Sequence, residues 1–245
     1  MDVLALLDWS GPARHLLESV KMLDSKTPAI MHIRHTARST VSREELERDS
    51  KRHELHNLRS TQIGVEAAID FGSSLPRDRD YSLYHTWVPR SRETADGISR
   101  GVASVGGRAR VVEVIPYSMT VDREAFERLI KSQGWYIKDG GYDGACHWIA
   151  GLIPETILKP SSEFAKEYAR MTVKNLYGSS SDSFHIYVSH DNLIMALIFH
   201  WFGVPPYEDG IRFLEGLLMQ ICDDGLHVWL RDRHVVYEPP YWWPN

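Results

Sequence analysis

The sequence predicts an α/β fold: a doubly wound, mostly parallel sheet with helices on both faces. Short apolar runs alternate along the chain with longer segments whose apolar residues recur at helical spacing. The length of 245 residues suits one large domain, and a hydrophobic fraction of 43% is enough for a substantial core. We therefore expect one domain over residues 1–245.

The predicted elements follow from local patterns. Strands are expected at 29–33, 81–88, 111–115 and 184–188, with a hairpin formed by 217–221 and 227–230 that turns at Asp224-Gly225. Helices are expected at 12–23, 61–71, 89–105, 122–133, 161–177 and 191–202. Proline and glycine mark the ends of several predicted helices: Pro89 begins one helix, and Gly178 and Gly203 end two others. The charged segment 41–55 is interpreted as a solvated loop or short helix.

Composition excludes several classes of function. The net charge of −5 argues against a general nucleic-acid binder, and no apolar run is long enough to span a bilayer. The first 23 residues lack the basic and apolar regions of a signal peptide. Cys146 and Cys222 are expected to be reduced thiols, so the predicted location is the cytoplasm. The histidines show no zinc-like spacing, so we expect no metal and no other cofactor.

Charged residues follow three of the predicted strands. Arg34-His35 and Arg38 come after the first strand, Arg90 after the second, and His190-Asp191 after the strand at 184–188. Since ligands of such sheets bind beyond the carboxyl ends of the strands, we expect these side chains to converge at one edge. Two arginines beside a histidine repel one another unless an anion lies between them.

A phosphate monoester fits this chemistry. Arginine offers planar paired donors that match phosphate oxygens, and neutral imidazole is a competent nucleophile near neutral pH. A second histidine adds donors, and a carboxylic acid is then needed to protonate the leaving alcohol.

Several blocks of sequence carry a family resemblance. The blocks are Ile33-Arg34-His35-Thr36, Thr61-Gln62-Ile63-Gly64, Thr86-Trp87-Val88-Pro89-Arg90-Ser91-Arg92-Glu93-Thr94-Ala95, Ser161-Ser162-Glu163 and Val188-Ser189-His190-Asp191. In this order, and over about residues 28–203, they resemble the signature segments of the histidine phosphatase (phosphoglycerate mutase-like) superfamily.

The resemblance implies a role for each matched residue. His35 would be the nucleophile that becomes phosphorylated, while Arg34, Arg90 and His190 would hold the phosphoryl group. Arg38 lies where the acid-phosphatase branch of the superfamily places a further phosphate-binding arginine. Thr36 stands where the family has glycine, which predicts a constraint on how closely this loop approaches phosphate.

The resemblance leaves the proton donor open between two carboxyl groups. The acid-phosphatase branch nominates Asp191, and the mutase-like branch nominates Glu113. The order of the blocks is closer to the mutase-like branch, so Glu113 is slightly preferred. Asp191 could equally be an ordinary helix cap, and Glu113 a solvated strand-end carboxylate.

The resemblance also implies a phosphatase that hydrolyses phosphomonoesters through a phosphohistidine, without metal. The alternatives are a phosphomutase and a phosphate-recognising protein of the same fold that has lost turnover. Residues 116–160 correspond to the part of the family that covers the pocket, so we expect a cap or substrate insertion there. The substrate would be a small phosphorylated molecule or a phosphopeptide. The aromatic tail at 237–244 is expected to pack on the sheet or to form an oligomer contact, which leaves a homodimer open.

Overall fold

The computed structural model describes residues 2–40, 57–115, 119–134 and 142–244. Within these ranges the helices are α1 (Gly11–Val20), α2 (Gln62–Ser73), α3 (Pro89–Ser104), α4 (Arg123–Gln133), α5 (Tyr142–Ile149), α6 (Ser161–Gly178) and α7 (Asp191–Phe202). The strands are β1 (Ala29–Arg34), β2 (Asp80–His85), β3 (Arg108–Val114), β4 (Ser183–Ser189), β5 (Gly216–Cys222), β6 (Gly225–Leu230) and β7 (Arg233–Tyr237). Two short 3₁₀ turns, Leu4–Leu6 and Asp8–Ser10, precede α1.

All seven described strands form one sheet in the order β3-β2-β4-β1-β5-β6-β7. The first four strands are parallel, whereas β5, β6 and β7 are each antiparallel to the strand before them in that order. Tight turns join β5 to β6 and β6 to β7, and such turns require antiparallel pairing. The α/β fold is confirmed, with the sheet divided into a parallel part and an antiparallel part.

Apolar clusters cover both faces of the sheet, as a doubly wound fold requires. Along β1, Met31 and Ile33 pack with α1, α2 and α3, whereas Ile30 packs with α5, α6 and α7. The alternation follows from the two-residue period of a strand. Because the parallel strands are covered on both faces, polar groups collect where the strands end.

The predicted helices and strands outside 116–160 are confirmed within a few residues, and two elements were missed. Strand β7 is short and exposed along most of its length, and its Arg233-His234 start gives no alternating apolar signal. Helix α5 lies in a stretch rich in glycine, where we expected irregular structure. The predicted loop at 41–55 lies outside the described residues.

The described parts of 116–160 contain α4 and α5, and a backbone bridge joins Thr120 to Leu158. Trp148 of α5 is buried against Phe164 of α6, with ring centroids 5.6 Å apart. The role of 116–160 as a cap stays a prediction.

The aromatic tail packs in part on the body of the protein. Trp243 is 6% exposed and meets Trp201 of α7 edge-on at 5.2 Å, whereas Tyr241 is exposed. No described helix has the length and apolar character needed to cross a lipid bilayer.

Candidate active site

His35 lies directly after β1, at the carboxyl edge of the parallel strands. Its backbone N–H donates to the carbonyl of Ser189 at 3.0 Å, which continues the pairing of β1 with β4. The side chain is buried, with the residue 2% exposed. The pairing of β1 with β4 therefore fixes the backbone from which the imidazole extends.

Two hydrogen bonds define the tautomer of the His35 ring. Nδ1 lies 2.7 Å from the carbonyl oxygen of Thr36, which can only accept, so Nδ1 carries the proton. Nε2 lies 2.9 Å from Nε of Arg90, which can only donate, so Nε2 presents its lone pair. This assignment comes from the hydrogen-bond network. It describes a neutral imidazole with its basic nitrogen at the cationic edge of the site.

The surroundings of His35 keep the ring neutral. Burial, followed by the charges of His190, Arg90 and Arg34, holds the pKa of His35 well below its ordinary value. Burial and nearby positive charge both disfavour the protonated ring. The nucleophilic form is therefore the stable one across the neutral pH range.

Arg90 occupies the first turn of α3, directly after Pro89, which is suited to the first position of a helix. The arginine is 8% exposed, and its carbonyl accepts a hydrogen bond from the hydroxyl of Thr94 at 2.7 Å. The start of this helix thus places a guanidinium against Nε2 of His35.

His190 is the residue immediately before α7 and faces His35, with the two ring centroids 5.3 Å apart. Its Nε2 lies 3.0 Å from the hydroxyl of Thr86, which follows β2. Since α3 and α7 both begin here, two helix N-termini add their partial positive charge to that of the side chains.

Arg34 makes three contacts around the site. It donates to the carbonyl of Ile211 at 2.5 Å, pairs with Asp191 at 3.1 Å, and lies over the ring of Phe213 at 4.6 Å. Its buried Nε has no protein partner among the described residues. This guanidinium therefore keeps one buried N–H donor that no described protein group accepts.

The threonine that replaces glycine is accommodated without backbone strain. Among the described non-glycine residues, positive φ occurs only at Leu214 and Arg231, so Thr36 is not in the left-handed region. Its hydroxyl donates to the carbonyl of Gly64 at 2.7 Å, and its backbone N–H donates to the hydroxyl of Thr94 at 3.0 Å. Thr36 ties the loop after β1 to α2 and α3.

The block at 61–64 supports the same loop. Thr61 caps α2 by accepting from the N–H of Gly64, and its own N–H donates to the carbonyl of Ala37. A Cβ on Gly64 would lie 2.3 Å from that carbonyl oxygen, so only glycine allows the helix to approach the loop this closely.

The two candidate acids differ in what the structure describes. Asp191 pairs with Arg34 and accepts from the N–H of Asn192 at 2.9 Å, which is the behaviour of a charged carboxylate at a helix start. Glu113 lies in β3, in register with Tyr84 of β2, and its side chain is outside the described residues.

Arg38 lies in the loop that follows β1. Its guanidinium donates to the carbonyl of Ser39 at 2.9 Å, and its backbone forms a bridge with Ser60. The structure thus gathers Arg34, His35, Arg90, His190 and Asp191, and the role of Arg38 stays a prediction.

Two residues of the site were missed by sequence reasoning. Thr86 belongs to a resembling block, but the pattern did not reveal that its hydroxyl would bind His190. Phe213 lies between α7 and β5, 5.9 Å from the ring of His35, and has no motif around it. Two cavities of about 450 and 360 Å³ lie elsewhere, near Arg231, and none of the gathered residues lines them.

The comparisons with known proteins add a likeness of fold. No protein-family model matches the chain, and no curated protein matches it either. Among solved structures, the chain is similar to a phosphoglycerate mutase from Bacillus anthracis (14% identity, 88% of this chain and 93% of that chain, TM-score 0.47). It is also similar to a mycobacterial glucosyl-3-phosphoglycerate phosphatase (11% identity, 86% and 99%, TM-score 0.48) and to a phosphoserine phosphatase from Entamoeba histolytica (11% identity, 88% and 98%, TM-score 0.45). Likenesses at these TM-scores do not identify a function, so the residues of the site have to do so.

Proposed function

We propose that this chain is a phosphatase of the histidine phosphatase superfamily, which hydrolyses phosphomonoesters through a phosphohistidine on His35. One observation carries the proposal: His35 is a neutral imidazole whose Nδ1 proton is held by Thr36 and whose Nε2 lies 2.9 Å from the guanidinium of Arg90. A lone pair held beside a cation is the arrangement that an attack on a phosphate dianion requires.

In the first step, Nε2 of His35 attacks phosphorus. The N–P bond forms as the bond from phosphorus to the leaving oxygen breaks, and a carboxylic acid gives its proton to that oxygen. The phosphate oxygens draw donors from Arg90 and Arg34, and donation by Arg90 to phosphate frees the Nε2 lone pair. His35 does not have to lose a proton before it attacks, because Nε2 carries a lone pair and the ring proton is on Nδ1.

In the second step, water replaces the histidine. The carboxylate left by the first step takes a proton from water, the new P–O bond forms, the N–P bond breaks, and inorganic phosphate leaves. Arg34, Arg90 and His190 donate to the three outer oxygens and counter their charge in both steps.

Glu113 is the better candidate for the acid. An acid must hold its proton until the leaving bond breaks, whereas the ion pair of Asp191 with Arg34 is a contact of a charged carboxylate. Asp191 then serves to orient Arg34, and Arg38 is kept as a further phosphate ligand implied by resemblance alone.

The decisive experiment compares His35→Gln with His85→Gln. His85 ends β2 and makes the same Nδ1 contact to the next carbonyl at 2.7 Å, so it is a matched control for the loss of a buried strand-end histidine. With p-nitrophenyl phosphate as substrate, we expect His35→Gln to lower kcat by about 10⁴-fold or more, as loss of a nucleophile does, and His85→Gln to retain activity within about tenfold. Acid-labile labelling by phosphate should vanish only in His35→Gln. Full turnover in a pure His35→Gln sample would refute the proposal.

Burial of the site favours a phosphomutase as the second candidate. His35 and His190 are 2% and 3% exposed, and limited access of water would prolong the life of a phosphohistidine. A phosphomutase would transfer the labelled phosphoryl group to an added hydroxyl acceptor faster than to water. Release of inorganic phosphate at the same rate with and without acceptors would instead support the phosphatase.

A further inference from the structure

A second group of reactive side chains lies at the β5–β6 hairpin. Cys222 ends β5, Asp224 lies in the turn, and His227 follows in β6. In the antiparallel register Gln220 pairs with His227, and Cys222 stands two residues beyond Gln220, so the cysteine and the histidine project from the same face. Three potential metal ligands therefore meet at one end of the hairpin.

The spacing of the ligand atoms suits a small divalent ion. One sulfur, nitrogen or oxygen atom from each of Cys222, Asp224 and His227 lies within 4.8 Å of the other two. In a tetrahedral zinc site the ligand atoms lie about 3.2–3.6 Å apart, as follows from bond lengths of about 2.0–2.3 Å. The contact of His227 Nε2 with Asp224 Oδ1 is 2.7 Å, so small side-chain rotations would open space for an ion between them.

His234 of β7 holds the other nitrogen of the His227 ring. Its Nε2 lies 3.0 Å from Nδ1 of His227, and its own ring stacks on Trp229 with centroids 4.5 Å apart. Without an ion, Nε2 of His227 donates to Asp224, so the ion would take the place of that proton. The ring proton would then lie on Nδ1 and be donated to the oriented Nε2 of His234, as metal-binding histidines typically do. The stack on Trp229 supplies that orientation.

The charge and chemistry of the group select the type of ion. Asp223 and Asp224 follow Cys222 in the turn, and the backbone of Asp24 donates to the neighbouring Gln220 side chain, so three carboxylates lie around the group. Their negative field attracts a cation. A set of sulfur, imidazole nitrogen and carboxylate ligands suits zinc, whereas magnesium and calcium prefer oxygen alone.

We propose that Cys222, Asp224 and His227 bind one zinc ion, with His234 orienting His227. The fourth position of the ion is left to water, and the thiol releases its proton to solvent on binding. Cys222 is at the far end of β5 from the edge where His35 lies, about 20 Å away along a strand of this length. The ion would therefore hold the hairpin together, and the inference does not depend on the proposed phosphatase activity.

The test is a titration of chelator-treated protein with Zn²⁺ and Co²⁺. We expect one ion per chain, a thiolate-to-cobalt charge-transfer band and the visible spectrum of tetrahedral cobalt. Cys222→Ser should abolish the thiolate band, and Asp224→Asn and His227→Gln should each weaken Zn²⁺ binding by at least tenfold. His234→Phe keeps the stack on Trp229 but removes the acceptor, so binding should weaken by about 10- to 100-fold.

A matched control comes from the other half-buried cysteine and its neighbour. The double variant Cys146→Ser/His147→Asn lies outside the group and should bind as the unaltered protein does. Asp224 is exposed, so Asp224→Asn tests the site even if Cys222→Ser fails to fold. Binding of less than one ion per chain, or zinc affinity that survives both Cys222→Ser and Asp224→Asn unchanged, would overturn the proposal. Equal binding of Mg²⁺ in place of Zn²⁺ would do the same.

Discussion

Two histidines end parallel strands of this protein in nearly the same way. His35 follows β1 and His85 ends β2, each is buried, and each is followed by a threonine. In both, Nδ1 lies 2.7 Å from the carbonyl oxygen of that threonine. The Nδ1 anchor is therefore a local property of a histidine at this point of a strand, and it does not by itself make a nucleophile.

The difference between the two histidines lies at Nε2. For His35 this atom accepts from Arg90, and the ring faces His190. For His85 no hydrogen bond to Nε2 is found among the described residues. We therefore expect reactivity toward an anion to come from the helices that begin after β2 and β4, which supply cations to one of two otherwise similar rings.

Removing the cation from His35 should have the largest effect on this contrast. Arg90→Met keeps the bulk of the buried side chain but removes the donor to Nε2, and we expect kcat for p-nitrophenyl phosphate to fall by about 10²- to 10³-fold. Arg92→Met is the matched control, because Arg92 is on the same helix, is 70% exposed and pairs only loosely with Asp96 at 3.7 Å. Equal kcat values for Arg90→Met and Arg92→Met would mean that the contact at Nε2 does not distinguish His35.

The threonines that follow the two histidines should differ in what their replacement changes, with an effect smaller than that of Arg90→Met. The hydroxyl of Thr86 contacts His190, whereas that of Thr36 donates to the carbonyl of Gly64. Thr86→Val removes the hydrogen bond that positions His190, so we expect kcat to fall about tenfold, which corresponds to about 1.4 kcal/mol of activation free energy. Thr86→Ser keeps the hydroxyl and should restore kcat. Thr36→Val should mainly lower the free energy of unfolding, by about 1 kcal/mol, because it removes a buried hydrogen bond between this loop and α2.

Kinetics and denaturant unfolding of the two valine variants measure this separation. A loss of kcat in Thr36→Val as large as in Thr86→Val, at equal stability, would contradict the assignment of one threonine to the site and the other to the scaffold.

The contrast also shows what the sequence could predict. Arg34-His35, Arg90 and His190-Asp191 each follow a strand in the pattern of hydrophobicity, and parallel strands bring their carboxyl ends together, so the group could be predicted. The tautomer of His35 could not be predicted, because it depends on the hydrogen bond that Arg90 of α3 donates to the His35 ring. Phe213 could not be found either, since it reaches the site from a loop whose path is set by the sheet.

The fold follows the same division. The parallel strands and their helices have strong apolar periodicity, which sequence alone reveals. Strand β7 is held by its backbone pairing with β6, and most of its side chains are exposed. Its own residues therefore lack the alternation of apolar and polar side chains that would predict a strand. The zinc ligands proposed at Cys222, Asp224 and His227 could not be inferred from the sequence for a related reason: their spacing becomes meaningful only once the hairpin register is known.

The smallest expected effect is on how the free energy of unfolding depends on pH. Because the pKa of His35 is held well below its ordinary value of 6.5, the unfolded chain binds a proton there that the folded protein does not, once the pH falls below about 6.5. The contribution of His35 to stability is therefore complete above pH 6.5 and is lost as the pH falls toward its native pKa. His32 and His185, with pKa values lowered by burial to about 3 and about 4, act in the same direction.

Replacing His35 removes one of the protons that the unfolded chain binds and the folded protein does not. The free energy of unfolding of the unaltered protein should fall between pH 6.5 and 4.5, and His35→Gln should show a shallower fall, by at most about 1.4 kcal/mol per pH unit. Urea unfolding at a series of pH values measures both slopes, and carboxylates contribute equally to the two proteins. Identical slopes would mean that His35 titrates normally in the folded protein, in which case the ring would be protonated in mild acid and the cations around it could not be what distinguishes it from His85.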